Sequence, residues 1–310
     1  MANCLVLGGN GFLGSHIAEA LSKKNNNVTV FDRFSNGMKN LDSFSEKIEI
    51  FKGDFFHEPD LKNAMKDMDI VFHYISTTNP VTSLNNPQYD LETNVIGSVR
   101  MLQIASDYGV KKIVFPSSGG TIYGEPETVP IAEDAPTYPV NPYAISKLTI
   151  EKYLNYFFQY HGMDFLILRY SNPYGERQSP YGNQGIIPIF LDKIRRGEPP
   201  TIFGDGSSIR DYIYIQDAVN ATLLLSEKNR LDKIFNVGSG RGVTVNDLVG
   251  IMSDVTGHQL NPIYINDKGI YIKKIILDIS KIRMATGWSP KTDLSEGIRK
   301  TWEWINKEND

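Results

Sequence analysis

Leu5-Val6-Leu7-Gly8-Gly9-Asn10-Gly11-Phe12-Leu13-Gly14-Ser15 is the stretch whose reading decides the fold. An apolar run ending at Leu7 gives way to glycines and then to apolar residues at helical spacing (Phe12, Leu13, Ile17, Ala18, Leu21), which reads as strand, tight turn and helix. Gly9, Gly11 and Gly14 fit G-x-G-x-x-G, while Gly8, Gly11 and Gly14 fit G-x-x-G-x-x-G. Such a turn needs positive φ at one position, and no Cβ where the backbone meets a diphosphate or where helix and strand pack closely. The new helix then offers the diphosphate its free N–H groups and the positive end of its dipole. Outward from the turn, a second strand, Asn27-Val-Thr-Val-Phe31, ends in Asp32. A carboxylate there accepts hydrogen bonds from both ribose hydroxyls of an adenosine and repels a 2′-phosphate. The reading is a dinucleotide site that favours NAD over NADP, with Arg33 the neighbouring side chain able to meet a phosphate.

Further strands are predicted at Ile48–Phe51, Ile70–Ile75, Lys112–Phe115 and Phe165–Leu168, with a helix over about 89–108. Strands alternating with helices imply a parallel sheet covered on both faces. Asp54-Phe55, at the end of the third strand, suits the edge and face of an adenine ring or equally caps the next helix. Residues 76–90 contain Pro80 and Pro87 and read as a loop at the carboxyl edge, where open α/β sheets bind ligands. Beyond Leu168 the rhythm breaks. Loops rich in Pro, Gly, Tyr and Asn at 171–185, and a second set at 197–210, flank a helix over 186–196 and mark a second lobe. The fold class is therefore a Rossmann-type doubly wound α/β sheet with a smaller C-terminal α/β lobe. The expected division is 1–170, with about 212–240 returning to it, and 171–211 with 241–310.

A chain of 310 residues can bury one large or two modest cores. Its net charge of −4 gives no electrostatic reason to expect nucleic acid or an anionic membrane as partner. No apolar run approaches bilayer length, and the first strand begins with no signal peptide before it, so a cytoplasmic protein is expected. The single cysteine, Cys4, cannot form an internal disulfide and reads as a small core residue. The five histidines show no ligand spacing, so no metal is expected.

The run Phe115-Pro-Ser117-Ser118-Gly-Gly-Thr121-Ile-Tyr123-Gly124 leaves a strand and places hydroxyls at its carboxyl end. Downstream, Tyr143-Ala-Ile-Ser-Lys147 puts a phenol and an ammonium on one face of a helix. A nearby ammonium, like a positive nicotinamide, favours the phenolate and lowers the phenol pKa, giving a general acid/base near neutral pH. Lys147 is also placed to hold the nicotinamide ribose.

These motifs resemble, in order, those of the extended short-chain dehydrogenase/reductase family, in particular its NAD-dependent sugar-nucleotide epimerases. The resemblance runs over nearly the whole chain: Gly8 to Gly14, Asp32, Asp54-Phe55, Asn94-Val-x-Gly97, the Ser-Ser…Tyr-Gly run, Tyr143 with Lys147, Leu168 to Gly175, Ile202 to Gly206, Arg210 to Ala218, Phe235 to Ser239, and Gly287-Trp-x-Pro290. It implies Tyr143 as acid/base, Lys147 as its partner, and Ser118 as the hydroxyl that binds the reacting sugar, with Thr121 as the alternative. Counting back from Tyr123-Gly124 instead puts that position on Gly119. It extends the NAD set to Phe12 and Leu13 at the helix start, Asn36 after Asp32, and Tyr74, Ile75 and Ser76 after the fourth strand. Asn94, Ser117, Tyr170 and Pro173 complete that set.

For the substrate the resemblance implies Ser118 and Tyr143 at the sugar, Asn172 at the phosphates, Gly185 and Ile186 at the next helix, Thr201-Ile202-Phe203 beside the base, and Arg210 pairing a phosphate. Lys268-Gly-Ile-Tyr271 stands where the family often has Arg-Pro-Gly-Asp, a departure at the nucleotide ribose, and Lys268 and Tyr271 are the candidate contacts. Ile275 stands where 4-epimerases place a residue gating bulk at the sugar's second carbon. Dehydratases of the family carry Asp-Glu after the threonine; their absence here disfavours dehydration. The implied activity is inversion at C4 of a UDP-hexose, plain or N-acetylated, through a 4-keto intermediate, by a homodimer. The alternatives are a 4-keto-6-deoxyhexose nucleotide reductase using NAD(P)H and, from another class, a non-catalytic dinucleotide sensor.

Overall fold

The computed structural model describes residues 1–35, 37–182, 184–227, 232–266 and 272–309. In chain order its first elements are β1 (Asn3–Leu7), α1 (Phe12–Lys23), β2 (Asn27–Asp32), β3 (Glu49–Lys52), α2 (Glu58–Met65), β4 (Ile70–His73), α3 (Thr82–Asn85) and α4 (Pro87–Asp90). A π-helical turn, Leu91–Ile96, leads into α5 (Gly97–Asp107), β5 (Lys112–Ser118), α6 (Pro142–His161) and β6 (Asp164–Tyr170). There follow β7 (Asn172–Tyr174), α7 (Ile186–Arg195), β8 (Thr201–Phe203), β9 (Ile209–Arg210), β10 (Tyr212–Tyr214), α8 (Ile215–Ser226) and β11 (Ile234–Val237). The last are β12 (Val243–Thr244), α9 (Val245–Thr256), β13 (Ile263–Ile265), α10 (Ser280–Thr286) and α11 (Leu294–Asn309).

Seven strands form the main sheet in the order β3-β2-β1-β4-β5-β6-β11, and β1–β2, β1–β4, β2–β3 and β4–β5 pair in parallel. The strands read as unbroken apolar runs because both of their faces are covered: Cys4 through Leu7 are all buried. Leu61 and Met65 of α2, Met101 and Leu102 of α5, and Ile150, Leu154 and Phe157 of α6 join Leu5, Leu7, Val71 and Phe115 in one cluster. Each such side chain contributes about 1.5–3 kcal/mol by leaving water, so the sheet is a stiff floor for whatever its carboxyl edge carries. β1 lies between β2 and β4, and the crevice past the carboxyl ends of β1 and β4 is the topological switch point. The glycine turn leaves β1 and Tyr74-Ile75-Ser76 leaves β4 at that crevice. A Cβ on Gly8 would lie 3.0 Å from the backbone of Tyr74 and Ile75.

The structure corrects three element boundaries. The fourth strand ends at His73 rather than Ile75; 76–90 contains α3 and α4 rather than being a plain loop; and the helix expected over 89–108 is split by the π turn. Hydrophobic spacing does not register a single extra residue in one helical turn.

The chain divides into two compact units. The first comprises 1–118, 139–169 and 222–235, and holds the body of the main sheet. The second comprises 119–138, 170–221 and 236–310, so that 119–138 and 212–221 group with the C-terminal segments. It contains three two-stranded sheets: β7–β10 and β8–β13, both parallel, and β9–β12, antiparallel. Among the described residues no helix is long and apolar enough to cross a membrane, and no group of three or more His, Cys, Asp or Glu is placed to hold a metal.

Candidate active site

The glycine turn is shaped by the absence of side chains. Gly8 has φ +74°, and a Cβ on Gly14 would fall 2.2 Å from the Gly8 carbonyl oxygen. At Gly11 a Cβ would meet the Gly8 oxygen at 3.2 Å and nothing else within 4 Å. Gly11 is also the N-cap of α1, with no side-chain cap and no acidic residue in the first turn. The helix thus keeps its free amides and positive end for an anion. Asp32 closes the other side: its Oδ2 accepts from the Asn10 N–H (3.2 Å) and its Oδ1 from the Arg33 N–H (2.8 Å), which pins the carboxylate at the end of β2. An open amide cradle beside a fixed carboxylate fits the diphosphate and adenosine ribose of NAD.

Arg33 is exposed. The Asp54 carboxylate accepts the Phe56 N–H at 2.9 Å, which ties the turn entering α2, and Phe55 is buried, with its ring stacked 5.4 Å from that of His73. Asn36 lies outside the described residues.

The phenol and ammonium sit where the spacing put them. Asn141 caps α6 by accepting the Ala144 N–H at 2.9 Å, Pro142 fills the first helical position, and the Tyr143 N–H donates to Ser83 Oγ of α3 at 3.2 Å. One turn on, buried Lys147 donates from Nζ to the Pro116 carbonyl at 2.9 Å, with Nζ 4.7 Å from the Phe115 ring centroid and 5.6 Å from that of Tyr143. The ammonium is thus fastened to β5 and faces the tyrosine ring.

Their electrostatics depart from the sequence expectation. Burial and then the charge of Asp90 push the Tyr143 phenol up to about 12 rather than down. Burial lowers Lys147 to about 8 against the opposing pull of Asp90 and Glu151. The correction comes first from burial and then from a carboxylate, Asp90, that the motif does not contain.

That carboxylate belongs to a buried polar network. Asp90 accepts short hydrogen bonds from Thr78 Oγ1 and Ser146 Oγ and a third from Asn94 Nδ2 at 3.1 Å. Asn94 also takes the Thr77 N–H on Oδ1 (3.0 Å), so its amide is committed to holding 77–78. Ser76 is exposed beside this loop, with its hydroxyl on the Thr78 carbonyl at 3.0 Å. Ser117 donates from Oγ to Glu151 Oε1 at 2.5 Å, and Glu151 receives a bidentate pair from Arg169 (3.2 and 2.7 Å). Ser118 ends β5, half-buried.

Sequence reading missed Ser83, Asp90, Ser146, Glu151 and Arg169. The usable signal was periodicity: Tyr143, Lys147 and Glu151 fall every fourth residue, and Asp90 precedes Asn94 by four.

In the second unit, Thr121 is half-buried and Tyr170 buried. Asn172 donates from Nδ2 to the Asp211 carbonyl at 2.9 Å, and Pro173 pairs with Ile213. The Arg210 guanidinium donates to the Ile209 carbonyl at 2.9 Å, and burial lowers its pKa. Gly185, at φ +95°, precedes Ile186 at the start of α7. Thr201 accepts from Lys193 Nζ at 3.0 Å, Ile202 is buried, and Phe203 is exposed on the strand paired with Ile263–Ile265. Ile275 is buried and donates its N–H to the Ile209 carbonyl at 3.0 Å. Lys268 and Tyr271 lie outside the described residues.

Comparison with known proteins accords with this geometry. The model of the NAD dependent epimerase/dehydratase family matches residues 4–238. A UDP-glucose 4-epimerase of Thermotoga maritima, solved with UDP-glucose, superposes with a TM-score of 0.94 at 38% identity, over 99% of this chain and 100% of that one. A UDP-N-acetylglucosamine 4-epimerase of Methanobrevibacter ruminantium, solved with UDP-N-acetylmuramic acid, gives 0.92 at 34%, over 99% of each chain. A UDP-glucose 4-epimerase of Thermus thermophilus, complexed with NAD, gives 0.91 at 33%, over 98% of this chain and 99% of that one. The family model spans most of the chain and these structures superpose over nearly all of it, so the chain belongs to the NAD-dependent epimerase/dehydratase family.

Proposed function

We propose that the protein is an isomerase that inverts C4 of a UDP-hexose, UDP-glucose and UDP-galactose or their N-acetyl forms, with NAD as cofactor. The observation that carries this reading is Tyr143 one helical turn from a lysine clamped to the end of β5, in the unit whose first turn fits NAD. Bound NAD supplies a reversible hydride acceptor for C4. The chain's residues handle the proton. Tyr143 takes it from the C4 hydroxyl as the 4-keto sugar forms and returns it when the alcohol is rebuilt on the opposite face. Lys147, still an ammonium at neutral pH, stabilises the phenolate across the ring face. Ser118 holds the reacting hydroxyl, with Thr121 as its alternative, and Asn172, Thr201–Phe203 and Arg210 hold the nucleotide.

The protein acts as a cytoplasmic homodimer in this reading. Leu91 and Ile96 on the π turn, and Ile145, Tyr153, Tyr156 and Tyr160 on α6, which packs against that turn, are exposed apolar side chains that a second copy would cover.

Purified protein given UDP-galactose is expected to form UDP-glucose without added NAD, and Tyr143→Phe to lower kcat by about 10²- to 10⁴-fold. No interconversion of either UDP-hexose or its N-acetyl form sinks the reading. A stoichiometric demand for reduced cofactor points to the reductase instead.

A further inference from the structure

Asp90 is a fully buried carboxylate with no cation in contact among the described residues. Its oxygens are held by neutral donors on three segments: Thr78 of the loop after β4, Asn94 of the π turn, and Ser146 of α6, which lies between Tyr143 and Lys147 in sequence. Burying a carboxylate is costly unless its hydrogen bonds are met, and this one is kept where apolar packing would be easier. The titratable groups that feel its charge are Tyr143 and Lys147 on α6; Lys147 in turn feels Glu151, which pairs with Arg169, and with burial lowers the pKa of His73.

We infer, resting on the epimerase reading above, that Asp90 is a positioning residue for the tyrosine–lysine pair: through Ser146 it holds the first turns of α6 in register with the loop after β4, and it sets one buried negative charge beside that pair. Geometry supports the tie. Ser83 from the same loop takes the Tyr143 N–H, so the tyrosine backbone and the helix's next turn are gripped by one segment. Burial, the larger cause, moves Tyr143 up and Lys147 down, while the charge of Asp90 favours the protonated form of both.

Asp90→Asn keeps the shape and removes the charge. Its pH–rate profile is expected to move to lower pH by about one unit on both limbs, since losing a negative charge eases ionisation of the phenol and of the ammonium alike. In ligand-free protein, tyrosinate absorbance measured against the matching Tyr143→Phe background is expected to rise at lower pH in Asp90→Asn than in wild type. Ser146→Ala keeps the charge and cuts the tie; kcat is expected to fall about ten- to a hundredfold with KM and the profile unmoved. A folded Asp90→Asn protein with an unmoved profile and unmoved tyrosinate titration overturns the inference. Should Asp90→Asn not fold, wild-type kcat in Ser146→Ala overturns it instead. If the wild-type protein turns over no UDP-hexose, the epimerase reading fails alone, and the tyrosinate comparison still decides the role of Asp90.

Discussion

His73 shows how one residue can carry a pH dependence. Its ring lies in the core between Phe55 and Phe115, at 5.4 and 5.8 Å, and Nε2 meets Ser98 Oγ at 2.8 Å. Burial, and then the charge of Lys147, lower its pKa from 6.5 to about 3. Between those values the unfolded chain binds a proton that the folded protein refuses, so stability falls with falling pH, by up to about 1.4 kcal/mol per unit. His73→Phe is expected to flatten the urea midpoint between pH 6 and pH 4 by the equivalent of one proton; an unchanged slope would mean the histidine is not neutral in the fold. Glu151 and Arg169 make the contrasting case. Their buried bidentate pair leaves neither charge unmet, and Ser117 adds a donor, so the end of β5, the middle of α6 and β6 are locked behind the site.

At the scale of elements, α6 is the device that aims the chemistry. Asn141 caps it, Pro142 starts it, and Gly162 in the left-handed region at φ +68° ends it by donating its N–H to the Phe158 carbonyl. Asn141→Ala is expected to cost about 1 kcal/mol and lower Tm by about 2 °C. Because Tyr143 is the second residue of the frayed turn, kcat should fall by more than the stability loss accounts for; a Tm drop with kcat intact would show that Ser83 alone holds the tyrosine. The π turn before α5 plays the matching part opposite. On it Asn94 bonds Thr77, Thr78 and Asp90, and the short helices α3 and α4 stand where Pro80 and Pro87 suggested plain coil.

At the scale of the molecule, the exposed apolar side chains on the π turn and α6 are the feature that a lone chain leaves unexplained. Ile96 is 49% exposed, Tyr156 45% and Tyr160 77%, and on α6 such residues recur at helical spacing along one stripe. Light scattering is expected to give twice the chain mass, and Ile96→Glu with Tyr156→Glu to halve it while Tyr143, Lys147 and the glycine turn stay folded. A monomeric wild-type protein would reject the dimer. The large parallel sheet was legible from the first stretch onward, because apolar strands alternating with amphipathic helices leave a period that any tertiary setting must respect. The dinucleotide turn and the Tyr143–Lys147 spacing were legible for the same reason: each is a local geometry written in consecutive residues. Burial was not, since Asp90, Ser146 and Glu151 look like solvated helix residues until packing removes the water around them. The sequence by itself determined the alternation of strands and helices, the glycine turn after β1 and the spacing of Tyr143 and Lys147. The tertiary structure alone decided how the phenol is charged, because a pKa answers to the dielectric and to neighbours brought from 53 positions away, Asp90 to Tyr143, and no local pattern encodes either.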